Sequence, residues 1–139
     1  MPQISALEFE RLPLRVHAFL AGVPLHDVWA VDLPGTRSGI TLDEFLHMRA
    51  AHPYILSSVV RGLLSIRLFT GRLLGWDREP AATAWETFAT RLTTSDVSKS
   101  LAPAGTREGL FRVVYSFENE QLLELINRTA HAAALSALI

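Results

Sequence analysis

The sequence predicts an α+β domain, and three stretches carry the prediction. Tyr54–Trp76, YILSSVVRGLLSIRLFTGRLLGW, is long, apolar and punctuated by arginines. Thr41-Leu42-Asp43-Glu44 has the form of a capping box, which opens a helix. In LFRVVYSFE, Phe111, Val113, Tyr115 and Phe117 alternate with Arg112, Val114, Ser116 and Glu118, a strand with one strongly aromatic face. Helical signals thus dominate the first two thirds and strand signals the last.

The elements follow in order. A short helix is expected around Ile4–Leu12, limited by Pro13. In VPLHDVWAVDLPG, Val and Trp favour a strand. Val28, Ala30 and Asp32 would point one way, Asp27, Trp29, Val31 and Leu33 the other, with Pro34-Gly35 ending it. From Thr41 a helix runs to about Ala51, because Pro53 disfavours helix at His52. A second helix fills Tyr54–Leu74 and stops near Gly75. Asp77–Thr83 is turn-like, and Ala84–Leu92 suits a shorter helix. Thr93–Gly109 is loop-rich, with one helical turn near Asp96–Lys99. Asn119-Glu120 turns the chain after the aromatic strand, and QLLELIN returns beside it. The last segment, RTAHAAALSALI, is helical by propensity. As a strand it would place Thr129, His131, Ala133 and Leu135 on one face and Ala130, Ala132, Ala134 and Ser136 on the other.

A chain of 139 residues fits one domain, 1–139, and is 49% hydrophobic and 19% charged. The formal net charge of -1 gives no field for nucleic acid. The absence of cysteine excludes disulfides, thiolate metal sites and a cysteine nucleophile. It also suits a cytoplasmic location, as does an N-terminus with Glu8 and Glu10 where a signal peptide is basic.

The arginine-studded helix is not expected to span a membrane. A span needs ~20 apolar residues, and each central arginine costs about 2.5–3.5 kcal/mol against about 0.3–0.6 gained per leucine or isoleucine. Arg61, Arg67 and Arg72 cancel most of the gain. In helical phase Ser57, Arg61, Ser65 and Arg72 share a polar sector. Ile55, Leu56, Val59, Val60, Leu63, Ile66, Leu73 and Leu74 form a broad opposite face suited to burial on most sides. Arg67 projects from that face. A bend at Gly62 or Gly71, or snorkelling, accounts for it; the other reading is that it meets an anionic ligand group. Contact with a membrane surface fits the composition, but the narrow polar sector does not favour it.

No catalytic constellation emerges, so neither a catalytic residue nor a metal or cofactor is assigned. The five histidines form no HExxH pair, and GxSxG, P-loop and GxGxxG motifs are absent. Glu118, Glu120 and Glu124 read as solvated hairpin charges. GTRxG occurs at Gly35–Gly39 and Gly105–Gly109: two glycine-requiring turns, or a pair of anion-binding loops with Arg37 and Arg107. His131 is a structural side chain of the sheet, or the polar group of an apolar pocket.

Val23-Pro24-Leu25-His26-Asp27-Val28-Trp29, Gly75-Trp76-Asp77, Pro103-Ala104-Gly105-Thr106-Arg107, Phe111–Tyr115, Glu118-Asn119-Glu120 and Asn127–Ala132 together resemble a bacterial group of START-like proteins without an assigned reaction. These lie in the polyketide cyclase/dehydrase and lipid-transport (SRPBCC) superfamily. The resemblance implies a helix-grip fold: a curved antiparallel sheet packed on long helices, with RTAHAAALSALI as a strand whose alanine face leaves room for a helix. The family closes with further strands and a long C-terminal helix, whereas this chain stops at Ile139: the domain is shorter than the family norm, is completed by a partner, or lacks its C-terminal end, and an unpaired final strand would be an edge for a homo-oligomer. The expected function is binding of a small hydrophobic molecule or lipid, acidic if it faces Arg67. Trp29, Phe69, Tyr115 and His131 are the further candidate ligand contacts. The alternatives are a cyclase- or hydratase-like enzyme with His131 or Tyr115 as acid/base, and a membrane-interface or protein-interaction module.

Overall fold

In the computed structural model, which describes residues 2–32, 39–51, 58–76, 86–127 and 130–139, the chain divides into two units, Met1–Ile40 and Thr41–Ile139. In the first unit, Ser5 caps α1 (Ala6–Glu10) reciprocally. The Glu8 amide donates to Ser5 Oγ at 3.2 Å, and Ser5 N–H donates to Glu8 Oε2 at 2.9 Å. The Ser5 amide, and after it the Ser5 hydroxyl at 3.0 Å, donate to the Glu8 carboxyl and hold it below its ordinary range. A carboxyl depressed by folding contributes stability that is fully present above the ordinary glutamate range and is lost as pH falls through its folded-state value. A Glu8→Gln variant should therefore differ from wild type at neutral pH and converge with it in acid, followed by NMR of the α1 amides. A difference that persists in acid would remove the carboxylate from the account.

A second turn of helix, α2 (Val16–Phe19), buries Val16 and Phe19. Among the described residues, the strand expected at Asp27–Leu33 is reduced to one antiparallel bridge, Gln3 to Trp29, framed by Ile4 N–H to Val28 O and Ala30 N–H to Pro2 O. With only the terminal segment beside it, no ladder propagates. Leu33, the Pro34-Gly35 turn and all of the first GTRxG except Gly39 lie outside the described residues.

The second unit begins with the predicted capping box. Glu44 N–H donates to Thr41 Oγ1 at 3.2 Å, and Thr41 N–H donates to Glu44 Oε2 at 3.0 Å. They open α3 (Leu42–Ala51). The long helix α4 spans Ser58–Leu74; the expected start at 54–57 lies outside the described residues. Its C-terminus is a Schellman motif. Gly75 adopts φ +67, Trp76 N–H reaches Gly71 O at 2.9 Å, and Gly75 N–H reaches Arg72 O at 3.4 Å.

The expected burial of the apolar face of α4 is not met: Leu63, Ile66 and Leu73 are 63%, 61% and 74% exposed. The helix instead turns inward the side bearing Gly71, which is buried with Gly75, while Arg67 and Leu68 are half-buried. A side without Cβ atoms allows the closest backbone approach.

The helix expected at Ala84–Leu92 contracts to a 3-10 helix, Phe88–Arg91, started by Thr87, whose hydroxyl accepts from Ala89 N–H; residues 77–85 lie outside the described set. The turn anticipated near Asp96 is α5 (Thr94–Lys99), with a further capping box between Thr93 and Asp96.

The last third forms an antiparallel, open sheet in the order β1-β2-β3-β4. The strands are β1 (Arg107–Glu108), β2 (Phe111–Ser116), β3 (Glu120–Ile126) and β4 (His131–Ala137). The architecture is thus α+β, and the C-terminal segment is a strand, with cross-strand pairing overriding alanine's helix propensity. Its faces alternate over His131–Leu135, with His131, Ala133 and Leu135 half-buried and Ala132 and Ala134 exposed; Ala130 and Ser136 on the alanine face are half-buried, and among the described residues no helix covers Ala132 and Ala134.

The outer edge of β2 is covered by the incoming chain. Leu101 N–H bonds Ser116 O, Gly105 N–H bonds Val113 O, and Val113 N–H bonds Thr106 O. Here the second GTRxG resolves into two turns, with Gly105 at φ +87 and Gly109 at φ +64.

Two features of the hairpin depart from simple alternation. Its turn is Glu118-Asn119, one residue earlier than expected, since Phe117 N–H already bonds Glu120 O. Leu42 N–H and Leu138 N–H bond the carbonyls of Glu118 and Asn119, so the turn is anchored without glycine. In addition, the β2–β3 register slips between Val113 and Tyr115: Val113 pairs with Leu123 and Tyr115 with Leu122. Val114 is the extra residue of a β-bulge. Phe111 and Val113 therefore lie on one face, and Tyr115 and Phe117 on the other. The predicted continuous aromatic face is split.

Candidate functional site: a polar cluster on one sheet face

The bulge assembles the site. Downstream of it Tyr115 joins the face that carries Arg112, Glu120, Leu122, Glu124 and Ile126, and the β4 register adds His131, Ala133 and Leu135. Arg112 and Glu124 stand directly opposite each other, and His131 lies one diagonal step from Glu124.

Two acid-containing pairs occupy this face. The Glu124 side chain is buried, and its Oε1 takes two contacts. Phe88 N–H of the 3-10 helix donates at 2.8 Å, and His131 Nε2 lies at 2.7 Å. The His131 side chain is 14% exposed and that of Glu124 is 4% exposed. The Phe88 ring stacks on His131 with centroids 4.6 Å apart, and the Arg91 guanidinium lies over the Phe88 ring, 5.3 Å from its centroid. The imidazole is thus fixed by an acid on one atom and by an aromatic plane. Four residues along β3, about 13 Å away, Glu120 forms the second pair, accepting from the buried Tyr115 hydroxyl. Tyr115 in turn stacks on Phe117 at 4.4 Å.

From the sequence, Glu118, Glu120 and Glu124 all read as solvated hairpin charges. That holds for Glu118, which is exposed, but Glu120 and Glu124 are 2% and 3% exposed. The signal available in the sequence was parity. Glu120 and Glu124 share their strand face with Leu122 and Ile126, so a face apolar enough to be buried also carries both acids. What the sequence could not supply was the donor from Phe88, 36 residues upstream of Glu124.

Of the five candidate ligand contacts, the sheet brings together Tyr115 and His131. Arg67 and Phe69 are on α4, where Phe69 is 69% exposed. The Arg67 guanidinium lies 5.7 Å from the Trp76 ring centroid, a cation–π contact. Trp29 belongs to the first unit, is exposed, and donates from Nε1 to Asp27 Oδ2 at 3.1 Å. Two clefts have other linings. One of about 400 Å³ in the first unit lies between Gln3–Ala6 and Leu25–Val28. One of about 290 Å³ in the second lies between Leu92, Val97, the 100–104 segment and Val114. Among the described residues no group of His, Asp and Glu has the form of a metal site, and no helix is long and apolar enough to cross a membrane.

A hydrogen-bonded imidazole–carboxylate pair can orient a ring for proton exchange or for holding a ligand's polar group. The phenol–carboxylate pair sits deeper, and its full burial suits it to fixing the face rather than meeting a ligand.

The fold and this face define an α+β protein with an open, four-stranded antiparallel sheet and two acid-bearing pairs on one side of it. Residues 19–138 match the family described as "Protein of unknown function (DUF2867)", and the chain belongs to that family. No curated protein and no solved structure matches it.

Proposed function

We propose that the protein binds a small, largely apolar molecule on the sheet face bearing His131, with the sheet serving as the ligand-binding half of a START-like helix-grip in the cytoplasm. The observation that carries this reading is the His131–Glu124 pair. It is a partly accessible imidazole, held at 2.7 Å by a buried acid, on a face whose other members include Leu122, Ile126 and Leu135. Apolar lining with a few oriented polar groups is the usual construction of a small-molecule site.

A panel of fatty acids and aromatic polyketide acids tests it by thermal shift and native mass spectrometry. A ligand present at about 100 times its Kd adds about 2.7 kcal/mol to the stability of the folded chain. At least one class should raise the melting temperature, and His131→Asn should weaken that ligand at least several-fold. A panel with neither a shift nor a mass adduct overturns the proposal.

The same geometry favours one second reading, an acid–base enzyme of the cyclase or hydratase type, because a ring oriented by an acid is the arrangement of a general base. Turnover of such substrates that survives His131→Ala removes it.

A further inference from the structure

The solvent-facing side of α4 points to a second surface, independent of the sheet face. Val59, Leu63, Ile66, Phe69 and Leu73 are 70%, 63%, 61%, 69% and 74% exposed. At ~100° per residue they gather on one side of the helix. The helix has 17 residues and is therefore about 25 Å long. Monomeric proteins rarely leave so continuous an apolar stripe in water. The charge around it has one sign. Ser58–Leu74 contains Arg61, Arg67 and Arg72 and no acidic residue. In helical phase Arg67 borders one edge of the stripe, while Arg72 and Arg61 lie beyond Phe69 at the other. Trp76, 42% exposed, closes the C-terminal end. Apolar stripe, arginine margins and a terminal tryptophan are the features of a helix that lies in a lipid interface.

We propose that α4 docks the protein on an anionic phospholipid surface, its axis in the membrane plane. The one-signed charge selects this occupant. Anionic headgroups lie within a Debye length, ~10 Å at 0.1 M salt, of arginines on such a helix. A second copy packed stripe to stripe would set arginines against arginines with no acid on either helix, an arrangement of like charges that opposes association.

Flotation of the full chain with vesicles tests the docking directly. It should float with phosphatidylcholine vesicles containing phosphatidylserine, float poorly with phosphatidylcholine alone, and be released at about 1 M salt, where the Debye length is ~3 Å. Arg61→Gln combined with Arg72→Gln should lower the partition constant about fivefold per charge removed. Ile66→Glu should abolish flotation, while Leu7→Glu, equally exposed but in the first unit, should leave it unchanged. Circular dichroism of each variant confirms the folded state, because every substituted side chain is exposed. The proposal is overturned if the wild type stays in the soluble fraction with anionic vesicles, or if folded Ile66→Glu floats like wild type. It is equally overturned if sedimentation shows the stripe closed by a second copy that Ile66→Glu separates. Failure of the ligand panel leaves these results standing.

Discussion

Replacing Glu124 with leucine should cost about 2–4 kcal/mol of stability. The variant strands two donors at a buried position, Phe88 N–H and the His131 ring, and each buried donor left without an acceptor costs about 1–3 kcal/mol. Urea denaturation measures the loss. Glu124→Gln keeps one acceptor oxygen and the volume, so it should lose roughly half as much. The informative comparison is Glu124→Leu with His131→Leu in one chain. If the two side chains are coupled, the double variant falls less than the sum of the singles, because the shared contact is lost only once. The double variant should regain the part of the loss that the stranded imidazole causes, since apolar replacement of a buried polar pair is often neutral, while the Phe88 amide stays unpaired. It should therefore be more stable than Glu124→Leu and bind no ligand. A double variant as unstable as the sum of the singles would show the pair uncoupled, and one that binds ligand would detach His131 from the site.

The reading of the sequence succeeded where a local rule had no competitor. The Thr41/Glu44 box, the glycine stop at Gly75 and the turn of helix near Asp96 each depend on a few adjacent residues, and each formed. The C-terminal strand needed more, because alanine favours helix. Only the fold implied by resemblance put HAAALSA in a sheet, and pairing with all of β3 is what holds it there. The failures share a different cause. The burial of Glu124 depends on a donor from a distant segment, and the exposed stripe of α4 depends on which side of an apolar helix the rest of the chain occupies. Hydrophobic phase shows that a stripe exists but not which side of the helix is covered. In α4 the glycine side was the one turned inward. The candidate site is half legible: the sequence marks Tyr115 and His131, and their acid partners emerge only from the strand register.

Replacing Tyr115 with alanine should be more damaging than any change at the bulge beside it. The bulge sets Val113 and Val114 against Leu123 and places Tyr115 opposite Leu122, on the face of Glu120. Deleting Val114 makes Tyr115 follow Val113 directly, and strict alternation keeps the two on opposite faces, so the register up to the turn survives. That deletion loses one buried valine side chain, about 1.5–3 kcal/mol. In Tyr115→Ala two costs fall together. A fully buried tyrosine leaves its packing, where removal of a large aromatic costs about 3–5 kcal/mol. The buried Glu120 loses its phenol donor, about 1–3 kcal/mol. Together these reach into the ~5–15 kcal/mol that holds a domain folded, so Tyr115→Ala should be unfolded or expanded, read by loss of amide protection in β3. The Val114 deletion should stay folded with the Tyr115–Glu120 pair intact. A deletion variant that unfolds at the same urea concentration as Tyr115→Ala would show that the faces of the sheet depend on the inserted residue rather than on the alternation of the strands.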